Sequence, residues 1–468
     1  MNFSSVIFLF FVLPASVVLY ALANLVFRRS ITALNVLLCL LSLAFYCAAG
    51  RQALLVVLGL VFGNYLIGYI ARMSKYIYIH VGIVLNVLVL AVFKYPQAIA
   101  AALGSSSPIT ALYPLGISFI SFHCISYLVD LRREELRLPV GSEAKEFLLF
   151  ATYLLFFPKI TQGPIVRYAD MRPQLEQRRF TLDQVSAGFE RVLVGLAKKV
   201  LLADQLGALL GTMPQTGYMD AATAWLGVAA YGFQLYFDFS GYSDMAIGLS
   251  NVFGFRFGEN FNFPYLSKSV TEFWKRWHIS LGSWFREYVY IPLGGSRRGS
   301  VYLNLFIVFL LTGMWHGNTG IYICWGLAYG ILCVMERTPW FRRLQSRRWY
   351  PAVGWIYTML VVFIGWLCFR LPDVGTFFLY LKNMLGMGIG ELTFTYRYFF
   401  TAKTVTLLLV SVLGIFLCSR QRVRALYQQA MERPLWVYLK YIVLLALFAL
   451  SYTAILSNGY TPFLYFQY

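Results

Sequence analysis

Residues 301–336 read VYLNLFIVFLLTGMWHGNTGIYICWGLAYGILCVME. Two apolar runs, near 301–317 and 321–336, flank a short hinge rich in glycine and polar residues. Each run approaches the roughly 20 apolar residues an α-helix needs to cross hydrocarbon, so the pattern predicts a pair of membrane helices joined at GMWHG. The same reading repeats outward, with spans near 5–27, 31–49, 52–71, 76–93, 109–129, 185–212, 221–237, 353–370, 403–419 and 435–456, twelve in all. The apolar start, MNFSSVIFLFFVLPASVVLYALANLVFRR, lacks a basic n-region and exceeds a signal h-region, so it is expected to stay as a span.

Composition agrees. The 468 residues are 59% hydrophobic and only 13% charged, against roughly 25% charged in a soluble domain. No long polar stretch leaves room for a soluble domain, so the chain reads as one integral membrane domain over 1–468. The 39 Lys and Arg against 20 Asp and Glu give +19, which in a soluble protein would suggest nucleic acid. Here most basic residues fall on the side of Arg28 and Arg29 once the spans alternate, so the charge is positive-inside topology and no nucleic-acid partner is implied. Both termini then face outward, and the loops at 130–145, 166–180, 250–300, 337–348 and 420–433 face the cytoplasm.

Two segments break the alternation. Phe147 to Phe157 is apolar but lies between cytoplasmic stretches, with Pro158, Gly163 and Pro164 after it, so the region near 146–164 is expected to be re-entrant. Such backbone survives at membrane depth only where protein or a cavity shields it. The stretch 250–300 contains FPYLSKSVTEFWKRWHISLGSWFREYVYIPLGG, too polar to span and too apolar to lie free in water, and is expected to be interfacial. There is no fixed-period repeat and no inverted pair of broken helices, which argues against a transporter or flippase, the non-enzyme alternative.

Of four histidines, two stand in unusual company. His278 follows Trp274, Lys275, Arg276 and Trp277. At helical spacing it shares a face with both tryptophans, Leu281 and Phe285, while Glu272 and Arg276 form an i,i+4 pair. His316 ends an apolar run among small residues, beside Trp315 and the amide of Asn318, and an ionisable group within a span is by default a functional candidate. His80 and His123 read as structural. Asp238 and Asp244, six residues apart, cannot share one helical face and read as a hydrogen-bonding scaffold. The seven cysteines have no CxxC spacing and no ligand set points to a metal. GGSRRGS at 294–300 lacks the P-loop pattern.

The ordered pieces MNFSSVIFLFFVLP, PLGISFISFHCISYLVD, FFPKITQGPIVRY, FDFSGYSDMAIGLSNVFGF, NFNFPYLSKSVTEFWKRWHISLGSWFREYVYIPLGG, LTGMWHG and FLYFQY span essentially the whole chain. Together they resemble the membrane-bound O-acyltransferase family, in the alginate O-acetyltransferase-like branch that modifies bacterial extracellular polysaccharides. The resemblance implies an all-α polytopic fold of tilted helices ringing a central funnel in the inner membrane, in contact with lipid. It implies acetyl-CoA as donor from the cytoplasm, no metal, a polysaccharide acceptor of alginate or cellulose type, and periplasmic partner acetyltransferases. Peptidoglycan O-acetylation and D-alanyl transfer to teichoic acid are the alternatives within the family.

The invariant family histidine maps to His316 and a more variable one to His278. His316 suits the general base, because transfer from a thioester requires a hydroxyl proton to be taken and neutral imidazole has an ordinary pKa near 6.5. Lys275, Arg276, Arg286, Arg297 and Arg298 are candidate phosphate contacts. The tail 457–468, ending FLYFQY, could fold back into an outward-facing funnel and present Tyr465 as an acetyl relay.

Overall fold

Apolar runs with no water to bond their backbone have one economical solution, the α-helix, and the computed structural model is built from helices, with no strand among the described residues. The structure describes residues 3–74, 76–102, 104, 114–133, 141–215, 217–388, 395–458 and 463–464. Seven helices are long and apolar enough to cross a membrane: Phe8–Val26, Ile31–Ala48, Leu54–Met73, Ile77–Lys94, Tyr350–Arg370, Ala402–Ser419 and Pro434–Ser457. Among the described residues the other expected spans do not meet that test, so the count of twelve is not confirmed. Helix Val301–His316 is short. The stretch 182–212 carries charge at Lys199 and Asp204 and passes through a π-turn at Lys198–Ala203.

The chain divides into two compact units, Met1–Val192 with Ser243–Gly258, and Leu193–Tyr242 with Glu259–Tyr468. In the first, polar side chains within spans bond internally: the Asn86 amide donates to Asn64 Oδ1 at 2.6 Å and to the Gly82 carbonyl at 2.8 Å. His80 lies 2.7 Å from Arg132, and His123 Nε2 accepts the Val166 N–H, so both are structural. The segment expected to re-enter is helix Glu143–Leu155, a tight turn at Phe157–Lys159 and irregular chain beyond, buried through Ile165. Its non-helical backbone is shielded by protein.

In the second unit the part of the 250–300 stretch from Glu259 onward packs inward. Phe273 is fully buried, and its ring stacks on Trp277 at 5.6 Å and Tyr265 at 6.3 Å. The expected continuous helix from Trp274 to Phe285 is not formed: helices Val270–Arg276 and Ile279–Phe285 are separated at His278, whose φ of 46° is left-handed. The loop at 260–262 takes over the bonds a continuing helix would have made, since Asn262 N–H donates to the Arg276 carbonyl and Ile279 N–H to the Asn260 carbonyl, both at 2.9 Å.

Helices Val301–His316 and Gly320–Arg337 pack through two glycines. A Cβ on Gly313 would meet the Tyr322 carbonyl oxygen at 2.5 Å, and one on Gly326 would meet the Phe309 carbonyl oxygen at the same distance. Backbone cannot yield as a side-chain tip can, so these residues set how closely the two helices approach. Gly326→Val is expected to lower stability by about 1–3 kcal/mol, the usual cost of overpacking. Gly414→Ala, within a helix and with nothing within 4 Å of the added methyl, should not lower it and is expected to raise it by up to about 1 kcal/mol. Thermal unfolding in detergent checks the pair.

Candidate functional site

The glycine-set crossing brings the end of helix Val301–His316 against the start of its partner. The helix stops at His316 because Gly317 is extended, with φ 175°. The imidazole is buried, 6% exposed, and its ring lies 5.1 Å from Trp325 and 4.9 Å from Phe369, both edge-on. Trp315 is half-buried next to it, and Asn318 is exposed at the turn. Neither lines the cavity described below.

His278 is reached through the same aromatic wall. Trp277 contacts Trp366 at 4.7 Å, Trp366 contacts Phe369 at 5.7 Å, and Phe369 contacts His316. Asn260 Oδ1 accepts from the Ser280 N–H at 3.1 Å and the Ser280 hydroxyl at 2.9 Å, so that atom is the oxygen and His278 Nδ1, 3.2 Å away, donates to it. Nε2 then carries the lone pair. Burial pushes the His278 pKa down to about 3, so the ring is neutral.

Both histidines line one cavity of about 1020 Å³, at the upper end of the about 300–1,000 Å³ typical of small-molecule sites. Lys275, Arg286 and Arg297 also line it, and they are exposed where the histidines are buried. The cavity therefore joins a basic, solvent-reachable rim to a buried aromatic and imidazole interior. Arg276 and Arg298 are not on its wall; Arg276 is held by Glu272 at 2.8 Å, the expected i,i+4 pair. Arg337 and Arg342 are on the rim and were not anticipated.

Glu336 was also missed. Its carboxylate is buried and accepts from Val270 N–H at 2.7 Å and Thr271 N–H at 2.8 Å, capping the helix that leads to His278. The available signal was a lone acid ending an apolar run. Asn260, in a polar loop, offered none.

Asp238 and Asp244, both on helix Ala221–Val252, serve different partners. Asp244 accepts from Arg191 at 2.9 Å. Asp238 accepts from buried Lys199 at 2.7 Å, and Asp204 takes the same ammonium at 2.6 Å. The second Asp238 oxygen accepts the Leu464 N–H at 2.9 Å, and the neighbouring Phe463 is fully buried against Tyr242 and under Lys199. Tyr465 lies outside the described residues. Asp238 stands 17 residues into its helix, about 26 Å from its start at 1.5 Å per residue. Among the described residues no three of His, Cys, Asp and Glu gather to hold a metal.

Comparison with known proteins decides the family. Residues 78–372 match the model of MBOAT, the membrane-bound O-acyltransferase family. The chain belongs to this family. It is 34% identical to the probable alginate O-acetylases AlgI of Pseudomonas putida and Pseudomonas aeruginosa, with 100% of each chain covered. It is 32% identical to the peptidoglycan O-acetyltransferase of Helicobacter pylori, over 75% of this chain and 73% of that one. It is thus an acyltransferase, a multi-pass protein of the bacterial inner membrane.

His278 links pH to stability with a definite sign. Its pKa in the folded protein, about 3, is below the ordinary value of 6.5, so the unfolded chain binds the extra proton first and acid favours unfolding. This stability is complete above pH 6.5 and falls as pH drops toward 3, by at most about 1.4 kcal/mol per pH unit. His278→Asn, which tolerates the left-handed backbone and does not titrate, is expected to flatten the profile. Denaturant unfolding of the detergent-solubilised pair between pH 7 and 4 checks this.

Proposed function

We propose that the protein is an O-acetyltransferase that takes acetyl groups from cytoplasmic acetyl-CoA and passes them across the inner membrane for O-acetylation of an extracellular polysaccharide, through a periplasmic partner. The observation that carries this reading is the single cavity joining exposed cations to buried His316 and His278. A CoA thioester presents phosphates to Lys275, Arg286 and Arg297 and needs a proton acceptor at its other end. The full-length likeness to the alginate enzymes favours an alginate- or cellulose-like acceptor over peptidoglycan, whose relative matches three quarters of the chain.

In this mechanism His316 removes the acceptor hydroxyl proton as the oxygen attacks the thioester carbonyl. The tetrahedral oxyanion collapses, the carbon–sulfur bond breaks, and the thiolate takes the proton back from the imidazolium. His316 closes its helix, where backbone carbonyls favour the transient positive charge. His278, held neutral by burial, is a weaker base and helps to shape and polarise the site.

The first acceptor in this reading is Tyr465. Phe463 and Leu464 are anchored deep along helix Ala221–Val252, and His278 touches Phe239 of that helix at 4.7 Å, one residue from Asp238. A phenol, with pKa near 10, is deprotonated more readily than a sugar hydroxyl and its ester is a better donor, so a tyrosyl relay splits one transfer into two easier ones.

His316→Ala is expected to abolish acetylation with the protein still folded, and His278→Ala to reduce it less. Tyr465→Phe should lose transfer while keeping CoA binding. NMR of extracellular glycan from strains carrying each variant reads the outcome, and a deletion strain names the polymer; normal acetylation with His316→Ala sinks the assignment.

Sidedness gives a separate check. Radiolabelled acetyl-CoA supplied outside should be used by inside-out vesicles and not by sealed right-side-out ones. The reverse pattern rejects the cytoplasmic donor.

A further inference from the structure

A second groove, of about 460 Å³, lies where helix Tyr350–Arg370 begins, helix Ala402–Ser419 ends and the turn before Ser269 crosses them. Its apolar side includes Pro351, Trp355 and Phe416, and its polar side includes Lys268 and Arg420, both exposed.

The wall is fixed. A Cβ on Gly354 would meet the Lys268 carbonyl oxygen at 2.5 Å, so the turn's backbone lies directly on the helix. The Trp355 indole N–H donates to the Tyr265 carbonyl at 2.9 Å, and its ring meets Phe416 edge-on at 6.2 Å. A third cation stands close by: Arg424 donates to the Ser419 carbonyl at 3.1 Å and lies over the Phe263 ring.

Depth and charge narrow the occupant. Both helices are candidate spans, and the groove is at their ends, at the level of lipid headgroups. Arg342, Arg343, Arg347 and Arg348 precede one span, and Arg420, Arg422 and Arg424 follow the other, so this is the positive-inside face, toward the anionic leaflet. The next helix, Gln421–Met431, buries no residue. It exposes Val423, Leu426 and Tyr427 at i, i+3 and i+4 beside those arginines, the build of a helix lying in the headgroup layer.

We propose that this groove binds an anionic phospholipid of the cytoplasmic leaflet, with the headgroup phosphate between Lys268 and Arg420 and an acyl chain along Trp355 and Phe416. A soluble phosphate would use the cations and leave the apolar wall unfilled. Bound lipid holds the turn that leads through Ser269 into helix Val270–Arg276, which ends one residue before Trp277 and two before His278.

The test is native mass spectrometry of the delipidated full-length protein titrated with phosphatidylglycerol or phosphatidylcholine. The wild type should retain phosphatidylglycerol roughly tenfold or more in preference, given about 1 kcal/mol per cation at an anionic surface. Lys268→Gln with Arg420→Gln should lose the preference. Ala352→Trp, which keeps both cations and fills the groove, should lose the bound lipid. Equal retention of the two lipids, an unchanged preference in the double variant, or unchanged retention in Ala352→Trp would each overturn the proposal. Displacement of the lipid by millimolar inorganic phosphate would overturn it too, by assigning the site to a soluble anion.

Discussion

An ammonium group inside an apolar helix assembly persists only if carboxylates and aromatic faces replace the water it has lost, and Lys199 is built around that requirement. Asp204 and Asp238 accept hydrogen bonds from it and Phe463 covers it. The contact depends on close helix approach: a Cβ on Gly241 would meet the Gly195 carbonyl oxygen at 2.7 Å. The π-turn at Lys198–Ala203 occurs at the same level, where an extra residue per turn redirects side chains. Removing one member of such a network leaves a buried charge uncompensated, commonly at about 3–5 kcal/mol. Lys199 occupies one Asp238 oxygen and the Leu464 N–H the other, so the ion pair helps to fix where Leu464 lies.

The two histidines differ because their backbones differ. His316 closes helix Val301–His316 and rests among rings, with the helix carbonyls behind it. His278 interrupts two short helices in a left-handed conformation that costs free energy for a residue with a Cβ, and Asn260 and Glu336 hold it there from the loop before and the helix after. Both imidazoles line the same cavity; in the proposed mechanism the one at the helix end takes the proton and the one at the break shapes the site.

Much of this was legible in the sequence, and the reason is the solvent. Hydrocarbon forces apolar runs into helices, so the all-helical membrane build could be read without tertiary information. The twelve-span count was less secure, because runs such as 185–212 mix apolar residues with Lys199 and Asp204, whose cost is offset only by partners distant in sequence. The break at His278 was invisible for the same reason: WKRWHISLGSWF has sound helical spacing, and only the loop at 260–262, brought in by the fold, supplies the competing hydrogen bonds. Of the five basic residues expected at the site, three line the cavity, since local charge pairing with Glu272 turns Arg276 elsewhere.

Both histidines stand where helical hydrogen bonding stops. A regular helix satisfies its own backbone and offers neighbours only side chains, so helices alone pack against one another and exclude substrate. A cavity at this depth needs a helix that ends or breaks, and its irregular backbone is tolerable only where other groups complete its bonds. Gly317, extended beneath the Tyr322 ring, ends one helix. Asn260 bridges the break in the other. The proposed chemistry therefore sits where the fold interrupts a helix, and the glycine and buried amide that permit the interruptions shape the cavity as much as the imidazoles that line it.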